Sequence, residues 1–203
     1  MSRGALRRLA LLLALRLAPG LWAGEPAPAD RLAAWDEPDA AGLARTRYDV
    51  GLLLGHSYNP ASKITWGLTH LAVIYDYDRV WPHAAPPPLR FKLELNVGGV
   101  NEPDERGVVA ADFLALYYLD RWTVAWCRPY VEAGAGGIYT DFQLAHQGLR
   151  VNFNPQAGVG AEFRGAAGTR WFLTLRLHHL SNAGLNREND GINSAFIGFG
   201  RRF

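Results

Sequence analysis

The stretch Leu89-Arg90-Phe91-Lys92-Leu93-Glu94-Leu95-Asn96-Val97 alternates without a break between apolar and polar side chains. Successive side chains of an extended strand point to opposite faces, so one face here is wholly apolar and the other wholly polar. A second segment sets Val151, Phe153, Pro155, Ala157, Val159, Ala161 and Phe163 against Asn152, Asn154, Gln156, Gly158, Gly160 and Glu162. A third, Trp171 to Ser181, sets Trp171, Leu173, Leu175 and Leu177 against the mixed face of Phe172, Thr174, Arg176 and His178. Segments near 45–57, 63–77, 108–119, 125–140 and 193–203 are rich in β-branched, aromatic and small residues between Gly, Pro, Asn or Asp clusters, which predicts about eight strands. In 63–77 and 108–119 apolar residues occur at both parities, and their faces stay open.

Two architectures accommodate such strands: a soluble, lipocalin-like carrier with the apolar face inside, and an outer-membrane barrel with that face toward lipid. Arg90, Lys92, Glu94, Glu132, Glu162 and Arg176 share the polar parity with many glycines, which suits the narrow lumen of an eight-strand barrel. The last strand ends at Phe203, in phase with Phe199, Ile197 and Ala195, with Arg201 at the same parity where the membrane edge falls. Trp81, Trp122, Trp126 and Trp171 lie at strand ends on one side, as an interfacial girdle does. The expected fold is therefore all-β: an eight-stranded antiparallel transmembrane β-barrel over residues 45–203, with a polar, side-chain-filled lumen. With both termini in the periplasm, connections at 58–62, 98–107, 141–149 and 182–192 face outward and those at 78–88, 120–124 and 165–168 face the periplasm; the Pro-rich 82–88 segment exceeds the usual short turn.

Composition narrows the function classes. With 49% hydrophobic and 20% charged residues in 203, the chain is not disordered in bulk, and a net charge of +2 offers no field for nucleic acid. The single cysteine, Cys127, makes no intramolecular disulfide, and no His or Cys cluster has zinc-ligand spacing, so neither metal nor organic cofactor is expected. Residues 1–23 place Arg3, Arg7 and Arg8 before the apolar run Leu9 to Leu15 and small residues up to Ala23, the pattern of a secretory signal peptide. Residues 24–44, rich in Pro, Ala and Asp, read as a loose N-terminal extension.

The row Trp171, Leu173, Leu175, Leu177 continues at the same parity into His179 and Ser181. Two residues apart on a strand, their Cβ atoms are roughly 7 Å apart on one face, so an imidazole can reach a hydroxyl as general base to nucleophile. His178 points the opposite way as a lumen residue, which excludes a His-His metal pair. Emergence of the strand into the headgroup zone also accounts for polar residues here, and that reading stays open. The following run, Ser181 to Asn193, adds a Gly-containing turn with exposed amides and the carboxamides of Asn182 and Asn189, parts suited to an oxyanion site.

The sequence His179-Leu180-Ser181-Asn182-Ala183-Gly184, then Asn189-Asp190-Gly191-Ile192 and a terminal aromatic, resembles the signature of the lipid A 3-O-deacylase (PagL) family, eight-stranded outer-membrane barrels. The resemblance implies an esterase of the Gram-negative outer membrane that removes the 3-O-linked acyl chain from lipid A of lipopolysaccharide. It implies Ser181 as nucleophile and His179 as its base, with backbone amides near Asn182 and Gly184 and the Asn189 side chain stabilising the oxyanion. The family's catalytic glutamate falls at Asn193. An amide accepts a hydrogen bond from the ring but brings no charge, and the comparable Asp to Asn change in a serine triad lowers turnover by roughly 10⁴. Glu188 and Asp190, in the turn, are the candidate carboxylates to replace the lost charge. Arg150 and Arg187, in outward connections, are candidates for lipid A phosphates. His56, His70, His83 and His146 form no spacing pattern. A second functional class fits the missing carboxylate: a non-catalytic barrel that is structural or binds lipopolysaccharide. A homodimer is compatible with either.

Overall fold

The computed structural model describes Leu32, Trp35 and residues 46–59, 64–101, 104–165 and 168–203. The strands are β1 (Arg47–Asn59), β2 (Thr65–Asp76), β3 (Leu89–Val100), β4 (Arg106–Tyr118), β5 (Cys127–Thr140), β6 (Val151–Phe153), β7 (Gln156–Arg164), β8 (Arg170–Leu180) and β9 (Ile192–Arg202). All pairings are antiparallel in the order β4-β3-β2-β1-β9-β8-β7-β5-β6, and β4 pairs with β5 to close the sheet. β6 and β7 both pair with β5, through Gly137↔Phe153 and Gly134↔Gln156, so they are two halves of one wall strand interrupted at Asn154 and Pro155. The wall is therefore an eight-stranded barrel. Closure leaves no edge and satisfies the ladder groups internally, which hydrocarbon surroundings require. A strand of 12 residues such as β3, tilted by about 40°, rises about 30 Å, enough to cross an apolar band.

Which parity faces out is plain from burial. Tyr48, Val50, Leu52 and Leu54 of β1, Leu93, Leu95 and Val97 of β3, Val159 of β7, Leu173, Leu175 and Leu177 of β8, and Ile197 and Phe199 of β9 are all exposed on the outer wall. Asp49, Lys92, Glu94, Glu132, Glu162, Arg176 and Arg202 are buried inside. The barrel is thus inverted relative to a soluble carrier, and the lipocalin-like alternative fails on this inversion.

The lumen is layered rather than uniformly polar. Across the middle, Arg176 forks onto both carboxylate oxygens of Glu94 at 2.7 Å and reaches Glu132 through Nε at 2.7 Å. Lys92 bridges the same two carboxylates at 2.7 and 3.2 Å, and Arg202 grips Asp49 through two bonds of 2.7 Å while touching Glu162 at 3.1 Å. Above this layer, Leu53, Ile64, Trp66, Leu68, Val100, Val108, Ala110, Ile138, Phe142, Leu180, Ile192 and Phe196 form an apolar plug under the upper loops. Below it, Leu116, Tyr118 and Tyr130 pack together. This layering is why β2 and β4 carry apolar residues at both parities: Trp66 and Leu68, and Val108, Ala110 and Leu116, are inward in the apolar layers, and Ala72, Ile74 and Leu114 are likewise inward and buried. Inward glycines make room for the long charged side chains and for strand contact; a Cβ on Gly134 would stand 1.9 Å from the Phe113 carbonyl oxygen.

The lower rim carries the aromatic girdle. Trp81, Trp122, Trp126, Trp171, Tyr48 and Phe203 are all exposed there, and the Arg201 guanidinium lies 5.3 Å from the Trp171 ring and 5.2 Å from the Phe203 ring. The long 78–88 connection has a role in this belt: Tyr77 packs edge-on against His83 and Phe91, and Trp81 against Phe91. The proposed signal peptide, 1–23, lies outside the described residues, as does the 24–44 extension apart from Leu32 and Trp35. Trp35 of that stretch is seated against the lower mouth of the barrel. Its side chain is only 1% exposed, its Nε1 donates to the Val124 carbonyl at 3.1 Å, and Arg164 and Arg170 lie over its ring at 4.8 and 5.5 Å. An indole that finds both a cation face and a hydrogen-bond acceptor is well placed to cap the lower mouth.

Candidate active site

The upper end of β8 is where the outer row turns polar. Leu177, His179 and Ser181 share the outward parity, with His179 half-buried and Ser181 one residue past the strand. Ser181 is held by the main chain: its N–H donates to the Phe153 carbonyl at 3.0 Å, and the Phe153 N–H donates back at 2.8 Å. The His179 N–H donates to the Pro155 carbonyl at 2.9 Å. The interruption at Asn154 and Pro155 therefore lies directly beside the site, a common place for a ladder irregularity that re-aims side chains.

His179 Nδ1 and Asn193 Oδ1 are 2.8 Å apart, across the β8–β9 register in which His179 faces Asn193. With the amide oxygen as acceptor, Nδ1 carries the proton and Nε2 is the free, basic nitrogen, the tautomer a general base needs. Gly191 fits against the other side of the ring: a Cβ there would meet His179 Cε1 at 2.5 Å and Nε2 at 3.2 Å. Glu188 and Asp190 do not take the place of Asn193. Glu188 is exposed with its carboxylate 3.9 Å from His146 Nδ1, and Asp190 is exposed with its N–H bonded to the His146 carbonyl at 2.7 Å.

Asn182 is the hub of the loop beyond the strand. Its side chain is fully buried, and Nδ2 donates to the carbonyls of Gln147 at 3.0 Å and Glu188 at 2.8 Å. Its Oδ1 accepts from the Gly184 N–H at 3.0 Å and from Asn186 at 3.4 Å. Ala183 and Gly184 have φ of 54° and 82°, and the Leu185 N–H closes the turn on the Asn182 carbonyl at 3.1 Å, the backbone form of a type I′ turn. The Asn182 N–H itself donates to Asn189 Oδ1 at 2.7 Å. The sequence-derived oxyanion set of Asn182, Gly184 and Asn189 is thus brought together, but the two backbone amides are engaged within the loop, and the donor left over is Asn189 Nδ2.

Two contributors carry no signal in the sequence pattern. The 141–150 connection buttresses the site loop through Gln147 and through Gly148, where a Cβ would meet the Glu188 carbonyl at 2.2 Å. Arg150, a phosphate candidate, is tied to Asp141 at 2.8 Å, and Arg187 is exposed. His178 faces inward against Trp66 and Phe196, as its parity predicts. No group of three or more His, Cys, Asp or Glu suited to a metal occurs among the described residues.

A closed eight-stranded wall with an apolar outer band and a buried ionic lumen is an outer-membrane β-barrel. The model of the family Lipid A 3-O-deacylase (PagL) matches residues 69–202, and the chain belongs to that family. Lipid A deacylase PagL of Pseudomonas aeruginosa is 26% identical over 130 residues, covering 63% of this chain and 74% of the relative. Among solved structures, the outer membrane enzyme PagL superposes with a TM-score of 0.53 at 22% identity, covering 76% of this chain and 98% of that one. Neisserial surface protein A gives a TM-score of 0.53 at 13% identity, covering 77% and 94%. Both structural likenesses speak to the fold.

Proposed function

We propose that this protein is an outer-membrane esterase that removes the 3-O-linked acyl chain from lipid A, with Ser181 as nucleophile, His179 as general base and Asn193 as the residue that orients the imidazole. The observation that carries the reading is the 2.8 Å contact between His179 Nδ1 and Asn193 Oδ1, on the lipid-facing parity and two residues from a serine. Family membership supplies the substrate class.

The chemistry follows from that placement. The acyl chain lies along the outer apolar column of Leu173, Leu175 and Leu177, which presents the ester at the depth of Ser181 without any internal pocket. His179 Nε2 takes the Ser181 proton as Oγ attacks the ester carbon. Negative charge develops on the carbonyl oxygen, where Asn189 Nδ2 is the available side-chain donor. The tetrahedral intermediate collapses, the proton passes from the imidazolium to the departing sugar oxygen, and an acyl-serine remains. Water, deprotonated by the same nitrogen, releases the 3-hydroxy fatty acid and restores Ser181. An asparagine in place of a carboxylate fixes the tautomer but leaves the imidazolium uncompensated, so the acylation step is slowed.

That substitution also favours a second reading, a non-catalytic barrel that binds lipopolysaccharide. Mass spectrometry of lipid A incubated with the detergent-refolded protein, beside Ser181→Ala, separates the two. Loss of one 3-hydroxyacyl group with the unmodified protein alone supports the esterase. No loss with the barrel folded, and gain of activity in Asn193→Glu, would mean that the missing carboxylate has silenced the site.

A further inference from the structure

The polar top of the outer wall is not confined to the catalytic row. On one flank of the site the apolar belt climbs to the loops: Val151 and Phe153 of β6 are 65% and 48% exposed, and Val109 of β4 and Val97 of β3 are outward at the upper ends of their strands. On the other flank it stops short. Across β8, β9, β1 and β2, four consecutive wall strands, the uppermost outward side chains include His179, Ser181, Asn193, His56, Tyr58 and Thr65. No carboxylate stands at the outward parity of β1 or β2.

His56 resembles His179 in how it is held. Its Nδ1 lies 3.1 Å from Thr65 Oγ1 on the next strand, which leaves Nε2 as the ring's remaining polar atom on the exposed face. In the β1–β9 ladder, His56 faces Ala195 and Asn59 faces Asn193, with a register shift between Ser57 and Asn59 that sets Tyr58 beside the site as the extra residue. A bulge of this kind turns a side chain out of the regular pleat. Tyr58 is 58% exposed. Strands are spaced by about 4.8 Å, so β1 stands about 10 Å from β8, within the span of a phosphorylated sugar headgroup.

We propose that His56, Tyr58 and Thr65 form a headgroup subsite that takes a phosphate of the substrate lipid, so that the molecule lies across β9 with its ester at Ser181. The assignment rests on the esterase reading for its substrate. Unlike the carboxamide oxygen facing His179, the Thr65 hydroxyl can donate to Nδ1, which puts the ring proton of His56 on Nε2; that N–H and the Tyr58 phenol, with no neighbouring carboxylate, are donors to anionic oxygens, and charge-assisted bonds of that kind are the stronger ones. It also gives the site a direction: sugar and phosphate toward β1 and β2, acyl chains down β8 and β9.

Binding is measured by native mass spectrometry in detergent on the Ser181→Ala protein, with lipid A and with its dephosphorylated form. The expected result is about tenfold weaker binding of lipid A on adding His56→Ala, recovery with His56→Arg, and no His56 dependence for the dephosphorylated lipid. In the Ser181-containing enzyme His56→Ala raises KM more than it lowers kcat. Equal effects on both lipids, or none, overturn the subsite, as does absence of lipid A binding to the parent protein. His56-dependent binding by a protein that never deacylates lipid A would keep the subsite and overturn the esterase reading.

Discussion

Replacing Gly191 by alanine should disable the site while leaving the barrel folded. The new Cβ would stand 2.5 Å from His179 Cε1, 3.2 Å from Nε2 and 2.9 Å from the Leu180 carbonyl oxygen. Carbon atoms pack at about 3.5 to 4.0 Å, so the ring has to retreat by about 1 Å. Leu180 is held in the β8–β9 ladder opposite Ile192, which makes the imidazole the element that yields. That retreat opens the 2.8 Å contact with Asn193 and displaces the base of the proposed mechanism. A misplacement of about 1 Å costs on the order of 10² in rate, or about 2.7 kcal/mol of barrier. The assay is release of the 3-hydroxy fatty acid from lipid A in mixed micelles, with heat-modifiable electrophoretic mobility as the measure of folding. Gly191 touches the base and not the lipid, so kcat falls and KM holds. Gly137→Ala, where nothing lies within 4 Å of an added Cβ, is the neutral control. A Gly191→Ala enzyme that is folded and within about threefold of the parent kcat would refute the placement of His179.

Asn182→Ala removes the hydrogen bonds to the Gln147 and Glu188 carbonyls and the acceptor for the Gly184 amide. At about 1 kcal/mol per bond this is about 3 kcal/mol of local stability, so hydrogen exchange at Gly184, Leu185 and Asn186 should quicken about 100-fold while the strands keep their protection. Arg176→Met leaves Glu94 and Glu132 buried with Lys92 as the cation bridging them and Thr174 still bonded to Glu132; breaking such a network costs about 3 to 5 kcal/mol, read as a lower unfolding midpoint in urea. Gly134→Ala sets a Cβ 1.9 Å from the Phe113 carbonyl and should prevent closure of β4 on β5, seen as loss of the heat-modifiable folded band.

Much of this structure is legible in alternation alone. The polar parity of β3 is the ionic layer of the lumen, and the apolar parity of β8 is the lipid-facing column that leads to His179 and Ser181. The faces of β2 and β4 were not legible, because Trp66 and Leu68, or Val108 and Ala110, are apolar residues buried in the lumen's upper plug rather than facing lipid. A period-two pattern reports a change of environment between faces, and there both faces are apolar. In the site, parity and the glycine turn pick out the row of His179 and Ser181 and the loop beyond it. The partner of His179 is a question of register between β8 and β9, which places Asn193 across from it and leaves Glu188 facing His146. Neither the buttress from Gln147 nor the seat of Trp35 in the lower mouth has a periodic signature, since both residues lie outside the strands.

The central claim is that Ser181 is an activated nucleophile on the lipid-facing wall, made so by His179 held through Asn193. Intact-mass analysis after treatment with an alkyl fluorophosphonate in detergent tests it without reference to the natural lipid. The account predicts a single adduct mapping to the peptide that carries Ser181, greatly slowed in His179→Ala and absent in Ser181→Ala. A folded barrel that takes no label, or takes it equally in His179→Ala, would contradict it.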